Sequence, residues 1–109
     1  MLMEEALVHS FGYAEFLSKD RNHQPKYKEP ITVDNCRIDY ETVYSRSSSE
    51  KQVVANAIIF CYVGYTTPLV EFKEQSKVTI HGKQFVIEKV VPITNPFNSD
   101  LFAYELEVI

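Results

Sequence analysis

The sequence predicts an all-β fold: a small single-domain antiparallel barrel or sandwich of about six strands with projecting loops. Three observations carry this. Seven Tyr and seven Phe stand against three Gly and no Trp, and aromatic and β-branched side chains fit a pleated, half-buried surface better than a helix face. Several short runs alternate apolar and polar residues with a period of two and are punctuated by turn residues. Ser76 to Ile109 reads as a tight hairpin followed by a long return strand. At 109 residues the chain is long enough for one modest core.

Leu7 to Phe16 is the first expected strand, with Leu7, His9, Phe11 and Tyr13 on one face and Val8, Ser10, Gly12 and Ala14 on the other. His9 lacks a second metal-type residue at ligand spacing, so it reads as a histidine satisfied at a core edge. Ser18 to Pro30 then turns polar and carries a net charge of +2. It is longer than most connections in compact domains and is expected to be a projecting loop. Ile31 to Val33 resumes an extended pattern. Cys36 to Tyr44 alternates strictly, placing Cys36, Ile38, Tyr40, Thr42 and Tyr44 against Arg37, Asp39, Glu41 and Val43. Ser45 to Lys51 is a second polar loop, slightly basic, so basic loops are set on an acidic body of a chain whose net charge is −4.

Val53 to Val63 is apolar on both faces, with only Asn56 breaking the run, and predicts a central strand covered on both sides. Tyr65 to Lys73 reads as a connection with a short helical turn. In the hairpin, His81-Gly82 suits a two-residue turn that needs positive φ. If Ile80 faces Lys83, then Val78 faces Phe85, and Val78, Ile80, Phe85 and Ile87 share one face. The alternation slips near Lys89 to Val91, which implies a bulge or burial of both faces. In the return strand Phe102, Tyr104, Leu106 and Val108 alternate with Ala103, Glu105 and Glu107.

The chemistry of an enzyme is not written in this pattern. His9, His23 and His81 fall in a strand, a loop and a turn, and none has a neighbouring carboxylate placed to orient it as a base. No GxSxG, HExxH, GxGxxG or phosphate-loop lysine occurs. Glu105 and Glu107 look like paired carboxylates but share one strand face, whereas glycoside chemistry needs two carboxylates across a cleft. Cys36 and Cys61 sit in apolar runs without a CxxC or Cys/His cluster, and read as two buried free thiols, with a disulfide the alternative. No catalytic residue, metal or cofactor is therefore expected. Neither a signal peptide nor a run of about 18 apolar residues is found, so the expectation is synthesis in a reducing cytoplasm and no membrane partner. The net negative charge disfavours general phosphate neutralisation but leaves room for a local basic patch.

The candidate interface residues are the loop cations Lys19, Arg21, Lys26, Lys28, Arg46 and Lys51. Lys26-Tyr27-Lys28 brackets an aromatic with a basic pair, as single-strand binding sites do. That leaves one alternative function, a small barrel of the oligonucleotide-binding type gripping single-stranded nucleic acid through its basic loops.

The order Tyr44-Ser45-Arg46, Asn56 to Phe60, Thr67-Pro68, Glu71-Phe72-Lys73, Ser76-Lys77-Val78, Gly82-Lys83, Lys89-Val90, Pro92, Asn95-Pro96-Phe97, Leu101 and Tyr104 to Ile109 resembles the minor capsid proteins of tailed phages and prophages of Gram-positive bacteria. These are related in character to head-tail joining, or head-completion, proteins. The resemblance spans most of the chain and is strongest from Tyr44 onward. It implies a small β-barrel that forms a homo-oligomeric ring below the portal and joins the DNA-filled head to the tail, in some relatives closing the channel with a loop. It further implies portal or adaptor and tail-completion proteins as partners, passive contact with packaged DNA, residence in the virion, and no catalysis. No residue receives a chemical role from it.

Overall fold

A computed structural model describes residues 7–44 and 53–109. The second polar loop, with Arg46 and Lys51, lies outside the described residues. The strands are β1 (His9–Ala14), β2 (Phe16–Lys19), β3 (Pro25–Tyr27), β4 (Ile31–Asp39), β5 (Val43–Tyr44), β6 (Val53–Ala55), β7 (Ala57–Tyr62), β8 (Lys77–Ile80), β9 (Lys83–Thr94) and β10 (Leu101–Val108). Six of them close into a barrel in the order β1-β4-β7-β10-β9-β8, and every pairing around it is antiparallel. No helix occurs among the described residues.

The β8–β9 hairpin shows how local chemistry sets register. His81 and Gly82 have φ of 49° and 80°, the left-handed pair whose twist matches the flanking strands. Ile80 consequently faces Lys83 and Val78 faces Phe85. Val78, Ile80, Phe85 and Ile87 are all buried, as the register requires. β7 lies between β4 and β10. Its inner residues Ala57, Ile59 and Cys61 are fully buried and its outer residues Ile58, Phe60 and Tyr62 are buried or half-buried. Asn56 interrupts β6 and β7, exposed, with its N–H donating to the Val108 carbonyl at 2.7 Å.

Bulges account for most departures from the expected alternation, because one extra residue moves everything beyond it to the other face. Ile31 to Val33 and Cys36 onward form one strand, not two. His9 pairs with Cys36 and Ser10 with Asp34, so Asn35, at φ 60°, is the extra residue. Burial accordingly steps from Val33 to Cys36 and Ile38. That strand ends at Asp39 and does not run on to Tyr44, which leaves Tyr40 65% exposed. In β9 the extra residue is Glu88, since Ile87 faces Val108 and Lys89 faces Glu107, just ahead of the slip expected near Lys89. In β10 it is Phe102, between Leu101 facing Thr94 and Ala103 facing Ile93. Phe102 is therefore exposed, not on the inner face with Leu106 and Val108, and Ala103 is buried.

Residues 63–76 contain no helical turn. They cross from β7 to β8 as turns and extended chain and place Phe72 in the core, where its ring lies 6.1, 5.1 and 5.6 Å from those of Phe11, Tyr13 and Tyr104. Such tilted and edge-on pairs are the preferred aromatic geometries.

Both cysteines are free and buried. The Cys36 thiol donates to the His9 carbonyl at 3.3 Å. Burial, reinforced by the Asp34 charge, pushes Cys36 up to about 12 from an ordinary 9.0. Burial also raises Cys61, with Cys36 adding to it. An unfolded thiol loses its proton before the folded one does, so this contribution to stability is intact below pH 9.0 and is lost progressively above it.

Two outcomes follow. Neither thiol should react with a thiol-specific reagent at pH 8 in native buffer, and both should react in denaturing urea; a fast native reaction would show an open barrel. Leu106→Ala should lower the unfolding free energy by about 2–5 kcal/mol in urea titrations, since Leu106 is 0% exposed; a near-neutral change would refute the register of β10.

Candidate functional site

An all-antiparallel barrel sorts its connections by parity. β1, β7 and β9 run one way, so the β1-to-β4, β7-to-β8 and β9-to-β10 connections all leave from one end. The β8–β9 turn leaves from the other.

The β1-to-β4 connection holds four of the candidate cations. It is a hairpin of β2 and β3, not an unstructured loop: Phe16 pairs with Tyr27, Ser18 with Lys26 and Lys19 with Pro25. Asp20 organises the turn. One carboxylate oxygen accepts the N–H groups of Asn22 and Gln24 at 2.8 and 2.9 Å, and His23 N–H donates to the Asp20 carbonyl at 3.0 Å. A short acidic side chain here stands in for a backbone turn. Lys19, Arg21 and Lys26 are exposed on this hairpin, while the Lys28 ammonium lies 3.1 Å from Glu15 at its root.

The root is fastened to the barrel by Ser76, a fully buried hydroxyl. Its Oγ accepts the Phe16 N–H at 3.0 Å and lies 3.3 Å from the Tyr13 hydroxyl, which itself accepts the Lys73 N–H at 2.9 Å. Lys28 N–H donates to the Glu15 carbonyl at 2.9 Å. The Phe16 and Tyr27 rings meet edge-on at 6.2 Å, and the Lys77 ammonium sits 4.7 Å from the centre of the Tyr27 ring. With Lys77 over one face and Phe16 against it edge-on, Tyr27 packs at the foundation of the hairpin.

The β9-to-β10 connection is the second projecting feature. Asn95 N–H donates to the Asp100 carbonyl at 2.7 Å, and Ser99 N–H to the Asn95 carbonyl at 2.9 Å. The Asn95 and Asn98 side chains accept the N–H groups of Phe97 and Asp100 at 2.9 and 3.0 Å. This bonded tip holds out Phe97 at 95% exposure. Below it, the outer face of β7, β10 and β9 is apolar: Phe60, Tyr62, Ile93 and Phe102. The Tyr62 and Phe102 rings meet edge-on at 5.8 Å. Sequence reasoning missed this surface, because Phe60 and Tyr62 read as members of a strand covered on both sides. The exposed Phe between Pro96 and Asn98 was the available signal.

Among the described residues the candidate acid–base groups are held apart. Glu105 and Glu107 face Phe60 and Ile58 across the ladder, not a second carboxylate. His9 Nδ1 accepts the Ile38 N–H at 3.1 Å, so that histidine serves the β1–β4 edge. Among the described residues no group of three or more His, Cys, Asp or Glu could hold a metal ion. An open pocket of about 250 Å3 is lined by Leu7, Asn35, Gly64 and Tyr65, which bring no acid–base pair to it.

A family model described as minor capsid protein matches residues 4–108. The chain belongs to the minor capsid protein family. As a minor capsid protein it is a structural component of a phage virion. It is 33% identical over 112 residues to an uncharacterized ORF5 protein of Lactococcus phage LL-H, covering 98% of this chain and 93% of that one. An uncharacterized ORF5 protein of Lactococcus phage mv4 is 25% identical over 67 residues, 59% of each chain. No solved structure matches.

Replacing Lys19, Arg21, Lys26 and Lys28 of this minor capsid protein together by Ala should leave its melting temperature nearly unchanged, because exposed charges contribute little to stability. Ser76→Ala leaves the half-buried Phe16 N–H without its acceptor and takes one of two partners from the Tyr13 hydroxyl, which keeps the Lys73 N–H, and should cost about 1–3 kcal/mol. Thermal or urea unfolding compares the two; the opposite ranking would contradict the roles assigned to root and tip.

Proposed function

We propose that this minor capsid protein acts as one domain, residues 1–109, at the head–tail junction: a connector subunit that joins or closes the head at the portal. The observation that carries this reading is the one-ended build of the barrel. Two structured hairpins, one bearing Lys19, Arg21 and Lys26 and the other tipped by Phe97, leave from the same end as the 63–76 crossover. A protein wedged between two larger assemblies needs a stiff frame with extended contacts on a common side. Exposed charge and a solvent-facing aromatic are poor investments for stability but are what interfaces use. The partners are portal or adaptor proteins above and tail-completion proteins below, with copies of the subunit completing a ring. Any contact with packaged DNA would be passive, through its phosphates and without reading sequence.

A chain-terminating substitution in the phage gene tests this. The expected product is DNA-filled heads that carry no tails, with the protein added in trans restoring tail attachment. Normal virions, or a block before DNA packaging, would overturn the reading.

A further inference from the structure

The outer surface of the barrel is divided, and its two parts are complementary. On the β7–β10–β9 wall, Phe60, Tyr62 and Phe102 form an apolar strip. It is edged by Glu105 and Glu107, with Glu88 exposed in the bulge and Asp100 at the tip. Two cations border this part of the wall: Lys89 faces Glu107 across the ladder, and Arg37 faces Phe60 from β4 but is paired with Asp39. Contiguous apolar surface rimmed by polar groups marks an interaction site. Across the barrel stands the hairpin with Lys19, Arg21 and Lys26. Ion pairs among the described residues join Lys28 to Glu15 and Arg37 to Asp39, and involve neither these three cations nor the wall glutamates.

The barrel order decides whether the two parts can meet within one chain. β1 and β10 are three places apart in a ring of six strands, so they are diametrically opposed. The hairpin is rooted on β1 and at the start of β8, through Tyr13, Ser76 and Lys77. It therefore springs from β8, β1 and β4, the three strands centred opposite β10 in the ring.

We propose that the acid-edged aromatic wall of β7 and β10 is the docking surface for the basic β2–β3 hairpin of a second copy of this chain. Hairpin and wall lie on different faces, so the contact is heterologous. Repeated head to tail it closes into a ring when the rotation fits. Aromatic residues supply the desolvated centre, and the charges at the rim select the partner and speed its approach. This deepens the connector reading and rests on it only for the place where the ring forms.

Charge reversal tests it on the full chain. One variant carries Lys19→Glu, Arg21→Glu and Lys26→Glu; the other carries Glu105→Lys and Glu107→Lys, with circular dichroism and melting confirming that each is folded. Sedimentation velocity up to about 1 mM, the range where weak contacts become populated, should show the unaltered protein associating. Each variant alone should associate at least about tenfold more weakly, since like charges then face each other. An equimolar mixture should recover association, because each hairpin again meets a wall of opposite charge. Amide shift mapping of the unaltered protein should move β2–β3 and β7–β10 together. A monomer throughout that range, unaffected association of both variants, or a mixture that fails to recover would each overturn the proposal. So would hairpin cations that bind duplex DNA in a salt-sensitive way while self-association ignores them. Any of these beside tailless heads in the chain-terminated phage defeats the contact alone; normal virions defeat the connector reading instead.

Discussion

Closure of the sheet at Val86 and Ile87 is the constraint on which the rest depends. β9 is twelve residues long and serves two neighbours in succession, β8 over its first four residues and β10 over most of the rest. At the handover both sides are bonded at once. Ile87 N–H donates to the Ser76 carbonyl and Gln75 N–H to the Ile87 carbonyl, while Val86 and Ile109 exchange both of their backbone bonds at 2.8 and 2.9 Å. The Glu88 bulge follows immediately and redirects the strand, as an extra residue does by adding local twist. Without this handover the sheet would keep two open edges, each a template for unwanted pairing. With it, parity sends three connections to one end.

Closure also explains why Ser76 matters beyond its own bonds. Its carbonyl belongs to the handover and its hydroxyl to the hairpin root, so one buried residue couples the barrel seam to the base of β2. Buried polar groups specify geometry when every partner is present, and no buried side-chain nitrogen or oxygen among the described residues lacks one. Past Phe16 and Tyr27 the hairpin depends on its own ladder and the Asp20 turn. The result is a solvated arm anchored at its root and closed at its tip by Asp20.

What could be read in the sequence was local. The His81-Gly82 turn carries its own register, and the apolar run declares the buried inner face of β7, although it breaks at Asn56 into two strands and its outer face is only partly covered. The bulges at Asn35 and Phe102 could not be read, because the extra residue is defined only against the partner strand. The hairpin from Phe16 to Tyr27 looked like a loop because its strands are solvated on both faces and show no alternation. Its stability comes from backbone pairing and Asp20. The helical turn expected between Tyr65 and Lys73 gives way to an extended path because Phe72 must reach the core. Charge counting singles out Lys19, Arg21 and Lys26, and the structure places all three, exposed, on the β2–β3 hairpin. The aromatic wall stayed hidden, since a half-buried outer face and a fully covered one share the same apolar sequence.

Fold and family agree on a structural protein of the phage virion, a closed barrel that displays two structured hairpins at one end. Strands placed by turn chemistry and burial have little freedom to vary; an Asp-organised basic turn and an Asn-organised Phe tip can change without disturbing the core. The most direct measurement is an electron cryo-microscopy map of the virion neck at a resolution that separates strands. The account predicts a ring of six-stranded barrels at the portal–tail junction, with the β2–β3 hairpin of each subunit lying on the β7–β10 wall of the next. A neck without these barrels, or subunits that meet through the His81 turn at the opposite end, would contradict it.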